Sequence, residues 1–169
     1  MTNPVENEGI KMQKFLVGLL IVTLIIAGYL GYRVYTLRSL DHLVVFFIRS
    51  TPTNFLLVPV LRAVPAPATP EKAVAQLLAG PTADEDLHPS IPQGTKLLDI
   101  TVADRTATVN FSRELQDNFV GGSQLEAHMV EAIVNTLIQF PQIDQVAILI
   151  EGQVVESIAG HVSIDRLLP

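Results

Sequence analysis

The chain has 169 residues, 49 % of them hydrophobic, with a formal charge of -6 at pH 7 and no cysteine. That length holds one domain of roughly 100–150 residues plus an anchor, and the missing cysteine excludes disulfides, thiol chemistry, Cys-ligated zinc and a lipobox-type lipid anchor. From Asp41 onward fifteen acidic residues stand against seven scattered basic ones, so the basic footprint that holds phosphate is absent and no nucleic-acid partner is expected.

Residues 1–14 read as a short polar tail on the cytoplasmic side, closing on Lys11 and Lys14. FLVGLLIVTLIIAGYLGY (Phe15–Tyr32) follows without a charge. At 1.5 Å per residue it spans about 27 Å, enough for a hydrocarbon core. A transmembrane anchor is therefore predicted over residues 15–35, with Tyr29, Tyr32 and Tyr35 at headgroup level. A cleaved signal peptide is the alternative, but no small-x-small site closes the run and Arg33 and Arg38 follow it. Lys11 and Lys14 against Arg33 and Arg38 nearly balance, so charge leans only slightly toward an outside C-terminal domain. Ala27 and Gly31 have small-xxx-small spacing, which for a single pair is better read as chance. Residues 36–44 are expected as a linker and residues 45–166 as the folded domain.

LVVFFI (Leu43–Ile48) reads as the first strand and FLLVPVLRAV (Phe55–Val64) as the second. Pro59 has no donor for a ladder bond, which makes the second strand an edge or a bulged strand. Thr69 is a candidate N-cap and Pro70 the first helical residue of a helix over Glu71–Ala79. Ala73 or Val74, Leu77 and Leu78 face inward, and Gly80-Pro81 stop the helix. TADEDLHPSIPQG is a polar loop. TKLLDITVADRTATVNFS predicts a hairpin turning at Ala103–Thr106, with Leu98, Ile100 and Val102 alternating on one strand and Ala107, Val109 and Phe111 on the other. Ser112–Val120 is a connector, and Gly121-Gly122 free the backbone to aim the next helix.

Ser123 and Glu126 have the capping-box spacing. The helix over Gln124–Phe140 carries Leu125, Met129, Ile133, Leu137 and Phe140 on one side, widened by Val130, Val134 and Ile138, and Gln124, His128, Glu131, Asn135 and Gln139 on the other. Pro141 ends it. QVAILIEG is a strand, and QVVES after Gly152 its short partner. The order β-β-α-β-β-α-β-β predicts an α+β fold, a mostly antiparallel sheet with two helices on one face, preceded by one transmembrane helix.

No set of residues makes a convincing active site. His42, His88, His128 and His161 show no HxxxH or HExxH spacing, so no metal is expected. His128 and Glu131 lie one helical turn apart and could share a proton, but a surface pair is the commoner outcome. Ser157, Glu156 and His161 have the residue types of a hydrolytic triad without a nucleophile elbow. Glu114 with Asp117, and Asp84 with Asp86, could serve as paired carboxylates only if an apolar environment raised one pKa. Asp84-Glu85-Asp86 lack the alternation of a calcium loop. Gly121-Gly122 lack the lysine and hydroxyl of a phosphate cradle. The solvent face formed by the 95–111 hairpin and the 144–156 strands is a candidate partner surface.

The stretches AVAQLLAGPT, IPQGTKLLDITV and RTATVNFSRELQDNFVGGSQLEAHMVEAIVNTLIQFPQIDQVAILIEGQVVESIAGHVSI resemble the GerMN domain of sporulation and spore germination over roughly residues 45–165. The resemblance implies an extracytoplasmic, envelope-attached domain with a fold similar to the ring-building motifs of envelope assemblies, no enzymatic activity and no cofactor. It implies envelope proteins as partners and leaves a homo-oligomer open. The motif residues carried over are structural: Gly80, Pro81, Gly94, Asn110, Phe111, Ser112, Phe119, Gly121, Gly122, Ser123, Glu126, Asn135, Phe140, Pro141, Glu151, Gly152, Gly160 and His161. Without a lipobox cysteine, anchoring falls to Phe15–Tyr32. Only one such domain fits, where the spore-germination member carries two, so a general envelope role is as well supported as one in sporulation. The expectation is a non-catalytic, membrane-anchored scaffold or assembly module. The alternative is an enzyme acting on cell-wall glycan, or a regulator of one, which polar side chains converging near Asn110, Ser112 and Glu151 would favour.

Overall fold

The computed structural model describes residues 4–169. Residues 1–3 of the expected tail lie outside the described residues, as do the side chains of Lys11, Tyr35 and Arg38. Two units are present, one ending at Leu40 and the other running from Asp41 to Pro169. The first is helix α1 (Pro4–Arg38), so the expected tail is helical from Pro4 onward. Within α1, Gln13–Val34 is long and apolar enough to cross a membrane, and its side chains are exposed throughout. α1 ends at Arg38 and β1 (Leu40–Ser50) starts two residues later, so the stretch expected as a linker is helix end and strand start.

The second unit is α+β. β1 and β2 (Phe55–Pro65) form a two-stranded sheet, while β3 (Leu97–Ala103), β4 (Thr106–Phe111), β5 (Gln145–Ile150) and β6 (Gln153–Val154) form a second sheet in that order. β3–β4 and β5–β6 are antiparallel, whereas β4 and β5 run parallel in continuous register from Thr106↔Gln145 to Phe111↔Ile150. Parallel neighbours need a crossover. It is supplied here by the short α3 (Glu114–Asp117) and by α4 (Ser123–Ile138).

Local chemistry sets the element ends. Thr69 caps α2 (Pro70–Ala79), its Oγ1 accepting the Lys72 N–H, and Gly80 closes it at φ 78°, a conformation open to glycine. Pro70, Ala73, Val74 and Leu77 are its buried residues, the face that the spacing predicts. Asp104 and Arg105 both have positive φ and join β3 to β4 in the two-residue turn whose twist matches the strands. Arg105 also forks onto Asp144, fastening this turn to the start of β5. In β4, Ala107, Val109 and Phe111 are buried, as the alternation requires.

β3 departs from expectation, because Leu98 is 47 % and Val102 39 % exposed. β3 is the outermost strand of its sheet, and a register shift between Leu97 and Asp99 re-aims Leu98. The strand therefore lies at the margin of the core. That core draws Leu43, Val45 and Phe47 from β1, Val74 and Leu77 from α2, and Met129, Ile133 and Leu137 from α4 into one cluster with Val109, Phe111, Val146 and Ile148.

The polar side of α4 does not simply face water. Gln139 donates to the Val44 carbonyl and accepts the Val44 N–H, both at 2.8 Å. Gln124 reaches Asn54 and the Phe55 carbonyl, and His128 reaches the same carbonyl at 3.2 Å. Further along β1, Ser90 Oγ donates to the Phe46 carbonyl at 2.8 Å, and Ile48 exchanges two main-chain bonds with His88. Val44, Phe46 and Ile48 share one parity, so these groups close the outer edge of β1. The far side of β5 is closed by β6 and by Leu168, which exchanges two main-chain bonds with Val146. Pro59 lies in β2, an edge by construction in a sheet of two strands.

Two expected outcomes follow from this packing. Thr136 is fully buried and its hydroxyl has no hydrogen-bond partner among the described residues. Thr136→Val should raise the unfolding free energy by about 1 kcal/mol in chemical denaturation, and a loss of that size would show the hydroxyl to be bonded. Glu85 accepts two bonds from Arg62, at 2.7 and 2.6 Å, and one from the Thr82 N–H. The Arg62 guanidinium, with Thr82 second, lowers the Glu85 pKa from 4.5 to about 2. A depressed carboxylate pKa stabilises the fold above the unfolded value and loses that contribution as pH falls toward the folded one. The difference in Tm between the native chain and Glu85→Gln should therefore be full above about pH 5 and vanish near pH 2. A pH-independent difference would contradict the assignment.

Candidate functional site

Parallel strands direct attention to their carboxyl ends, where open sheets of this kind place chemistry. β4 and β5 end at Phe111 and Ile150, and the loops that follow carry Ser112, Glu151 and Gly152. Three side chains there each accept a main-chain N–H through one oxygen. Asn110 Oδ1 accepts the Gly152 N–H at 2.8 Å, and Glu151 Oε1 accepts the Arg113 N–H at 2.9 Å. Ser112 Oγ accepts the Lys96 N–H at 2.9 Å, while the Ser112 N–H donates to the Lys96 carbonyl. Glu151 and Gly152, both at positive φ, form the β5–β6 turn. Asn110, Ser112 and Glu151 thus act as a lock on three loops.

Glu126 has the most consequential placement. It is fully buried on the inner side of α4. Its Oε1 accepts the Ile158 and Ala159 N–H groups at 3.1 and 2.8 Å, and its Oε2 accepts the His161 N–H at 3.0 Å. The expected capping box does not form: Gly122 is the N-cap, without a side-chain bond, and Ser123 opens the helix. Glu126 is drawn away because the 158–161 loop offers it three main-chain donors, and an unpaired N–H in the interior costs more than an uncapped helix end facing water. The signal was present in the sequence. Glu126 precedes Met129 by three residues and Ile133 by seven, so it lies in the apolar stripe. Gln116 holds the same loop from the other side, donating to the Ser157 and Ile158 carbonyls.

Several other motif positions lie at turns, at close contacts or in the core. Gly94, at φ 87°, leaves only 3.2 Å between an added Cβ and Asn118 Nδ2, and that nitrogen donates to the Gln93 carbonyl. Gly121 has no room for a side chain, since a Cβ would sit 2.8 Å from Leu125 Cδ1 and 3.2 Å from Phe119 Cζ. Gly122 has open space around it. Gly160, at φ 91°, donates its N–H to Ser157 Oγ at 2.9 Å. Phe111 and Phe140 are core residues, Asn135 is half-buried, and Pro141 follows the helix end on the surface.

Of the candidate catalytic sets, the His128–Glu131 pair is formed. His128 Nδ1 faces Glu131 at 3.1 Å, but Nε2 is engaged by the Phe55 carbonyl, so neither nitrogen is open to a substrate. The Ser157 hydroxyl accepts from Gly160, and the side chain of His161 is exposed. The Ser112 hydroxyl, with the Glu114 N–H second, holds the Glu114 carboxyl below its usual range, opposite to what a general acid needs. Among the described residues no three His, Asp or Glu side chains converge as metal ligands.

One groove is present that the sequence did not indicate. It encloses about 420 Å³ between the end of β1, the 88–93 loop and the segment before α4, with Ile48, Phe55, Pro89, Ile91, Phe119 and Leu125 in its wall. Val120 stands in it 89 % exposed. The loop expected to be polar instead buries Ser90 and Ile91 and builds this wall. The available cue was the apolar Ile91 between Pro89 and Pro92.

Replacing Glu126 by Gln turns one acceptor into a donor facing main-chain N–H groups, so Glu126→Gln should cost about 2–3 kcal/mol in equilibrium unfolding. An effect below about 0.5 kcal/mol, the usual range for a surface substitution, would contradict the clamp.

The geometry can be set beside known proteins. No curated protein matches the chain. Among solved structures, a Clostridium perfringens chain described as a candidate lipoprotein is 26 % identical with a TM-score of 0.55, over 79 % of this chain and 89 % of that one. The tandem GerMN domains of the Bacillus subtilis sporulation protein GerM match at 17 % identity and a TM-score of 0.63, over 78 % of this chain and 46 % of theirs. The first GerMN domain of that protein matches at 21 % identity and a TM-score of 0.55, over 74 % of this chain and 96 % of its own. The two Bacillus likenesses establish the fold. The family model described as sporulation and spore germination matches residues 44–156, and the chain therefore belongs to the Germane family.

Proposed function

We propose that the protein is a non-catalytic docking module of the bacterial cell envelope, tethered by Gln13–Val34 as a single-pass anchor with the domain from Asp41 onward outside the cytoplasm. The carrying observation is the commitment of the polar side chains at the β4 and β5 carboxyl ends to main-chain bonds. A site that performs chemistry leaves acid, base or nucleophile free to meet a substrate, and here Asn110, Ser112 and Glu151 each hold a main-chain N–H. The apolar span of α1 and the likeness to a candidate lipoprotein support attachment to a membrane. A partner in that setting is a protein of the envelope, recognised by surface apolar groups such as Val120 and not by phosphate or metal chemistry.

The test places a photoreactive residue at Val120 in intact cells of the native host, with Leu167, 48 % exposed, as the control position. A discrete envelope-protein adduct at Val120 and none at Leu167 is the expected result. Glycan attached at Val120 in place of protein would overturn the docking reading in favour of a cell-wall glycan enzyme.

A further inference from the structure

We propose that the free edge of β3 is a self-pairing surface, on which two copies of this chain align antiparallel about Ile100 and join their sheets. The inference deepens the docking reading above and rests on it for the tether that brings two copies into one plane. It starts from how the other edges are treated. β1 is closed by Gln139, Ser90 and His88, β5 by β6 and Leu168, and β2 carries Pro59. Natural sheets blunt their edges against unwanted pairing. β3 ends its sheet with no hydrogen bond on its outer side among the described residues, and shows Leu98 and Val102 at 47 % and 39 % exposure.

The main chain points the right way. Ala103 and Thr106 flank a two-residue turn and so form a hydrogen-bonded pair with each other. Bonding alternates along an antiparallel pair, so Thr101 turns its N–H and C=O toward β4 while Ile100 and Val102 turn theirs outward. A two-fold axis at Ile100 lets the two copies exchange both bonds at that residue. It also carries Val102 of one copy to the Leu97–Leu98 bulge of the other, covering the exposed apolar groups twice.

Charge agrees. The domain is acidic, yet the segment 96–105 is balanced, with Lys96 and Arg105 against Asp99 and Asp104. Arg105 is taken by Asp144, whereas Lys96 and Asp104 are exposed and form no salt bridge among the described residues, Lys96 lying near enough to Glu114 to favour its charged form. In the two-fold arrangement Lys96 of each copy lies alongside Asp104 of the other. The edge is thus the place where two acidic domains can approach, and membrane tethering raises their effective concentration.

The chain has no cysteine, so Ile100→Cys introduces the only thiol. In full-length protein in host membranes, mild oxidation should give a disulfide dimer at least tenfold faster than Leu61→Cys, which is 63 % exposed on β2. Paired strands bring the two Cα atoms to about 5.5 Å, within disulfide reach. In detergent, Lys96→Asp and Asp104→Lys should each weaken the dimer roughly tenfold by sedimentation, and the double variant should restore it. These are surface substitutions, and circular dichroism checks that each variant is folded. Equal crosslinking at Ile100 and Leu61, or no restoration in the double variant, would overturn the self-pairing. A monomer that still yields the Val120 adduct would overturn this inference alone and leave the docking reading standing.

Discussion

The parallel pairing of β4 and β5 is the constraint from which the rest of the domain follows. Two parallel strands cannot be joined by a tight turn, so the chain must leave the sheet at Phe111, cross it and return at Gln145. α4 is that crossing, and it has to be apolar where it meets the sheet. Met129, Ile133 and Leu137 satisfy this and are fully buried. The opposite side then lies against β1 and β2, whose unpaired main chain needs partners. Gln124, His128 and Gln139 supply them. Apolar burial therefore joins this helix to both sheets, and side-chain-to-backbone bonds from its polar side add a second hold on β1 and β2.

The same logic explains a buried carboxylate. Burying a charged group without partners is costly, and Glu126 is tolerated because three N–H groups of the 158–161 loop converge on it. Gln116 grips the same loop through its carbonyls. A loop without regular structure is thereby fixed against α3 and α4, and the C-terminal segment beyond it can reach back to pair Leu168 with Val146. The polar residues that a reader would nominate for chemistry are the ones that hold the irregular parts of the fold in place.

Much of this was legible in the residues. Thr69-Pro70 and Gly80 mark α2, Ala107, Val109 and Phe111 mark the buried face of β4, and the apolar stripe of α4 marks its core side. The turn at Asp104-Arg105 could be placed by strand length, although its residues lack the usual glycine. What escaped the sequence is long-range pairing. Nothing local says that β4 and β5 lie side by side, that Gln139 caps Val44 across 95 residues, or that the 88–93 loop folds onto β1. Ser123 and Glu126 have capping-box spacing, yet the tertiary donors outcompete the local one. The exposed apolar groups of β3 were misread for a related reason, since alternation reports which face is apolar and not whether anything covers it.

The central claim is that Asn110, Ser112, Glu126 and Glu151 hold the loops around them through main-chain N–H bonds. Amide hydrogen exchange tests it directly, read at Lys96, Arg113, Gly152, Ile158, Ala159 and His161. All six N–H groups are bonded by motif side chains. Protection approaching that of the β4 and β5 core amides is the predicted result. Exchange at the rate of an open loop would mean that Ser112, Glu151, Asn110 and Glu126 are free, and would contradict the account.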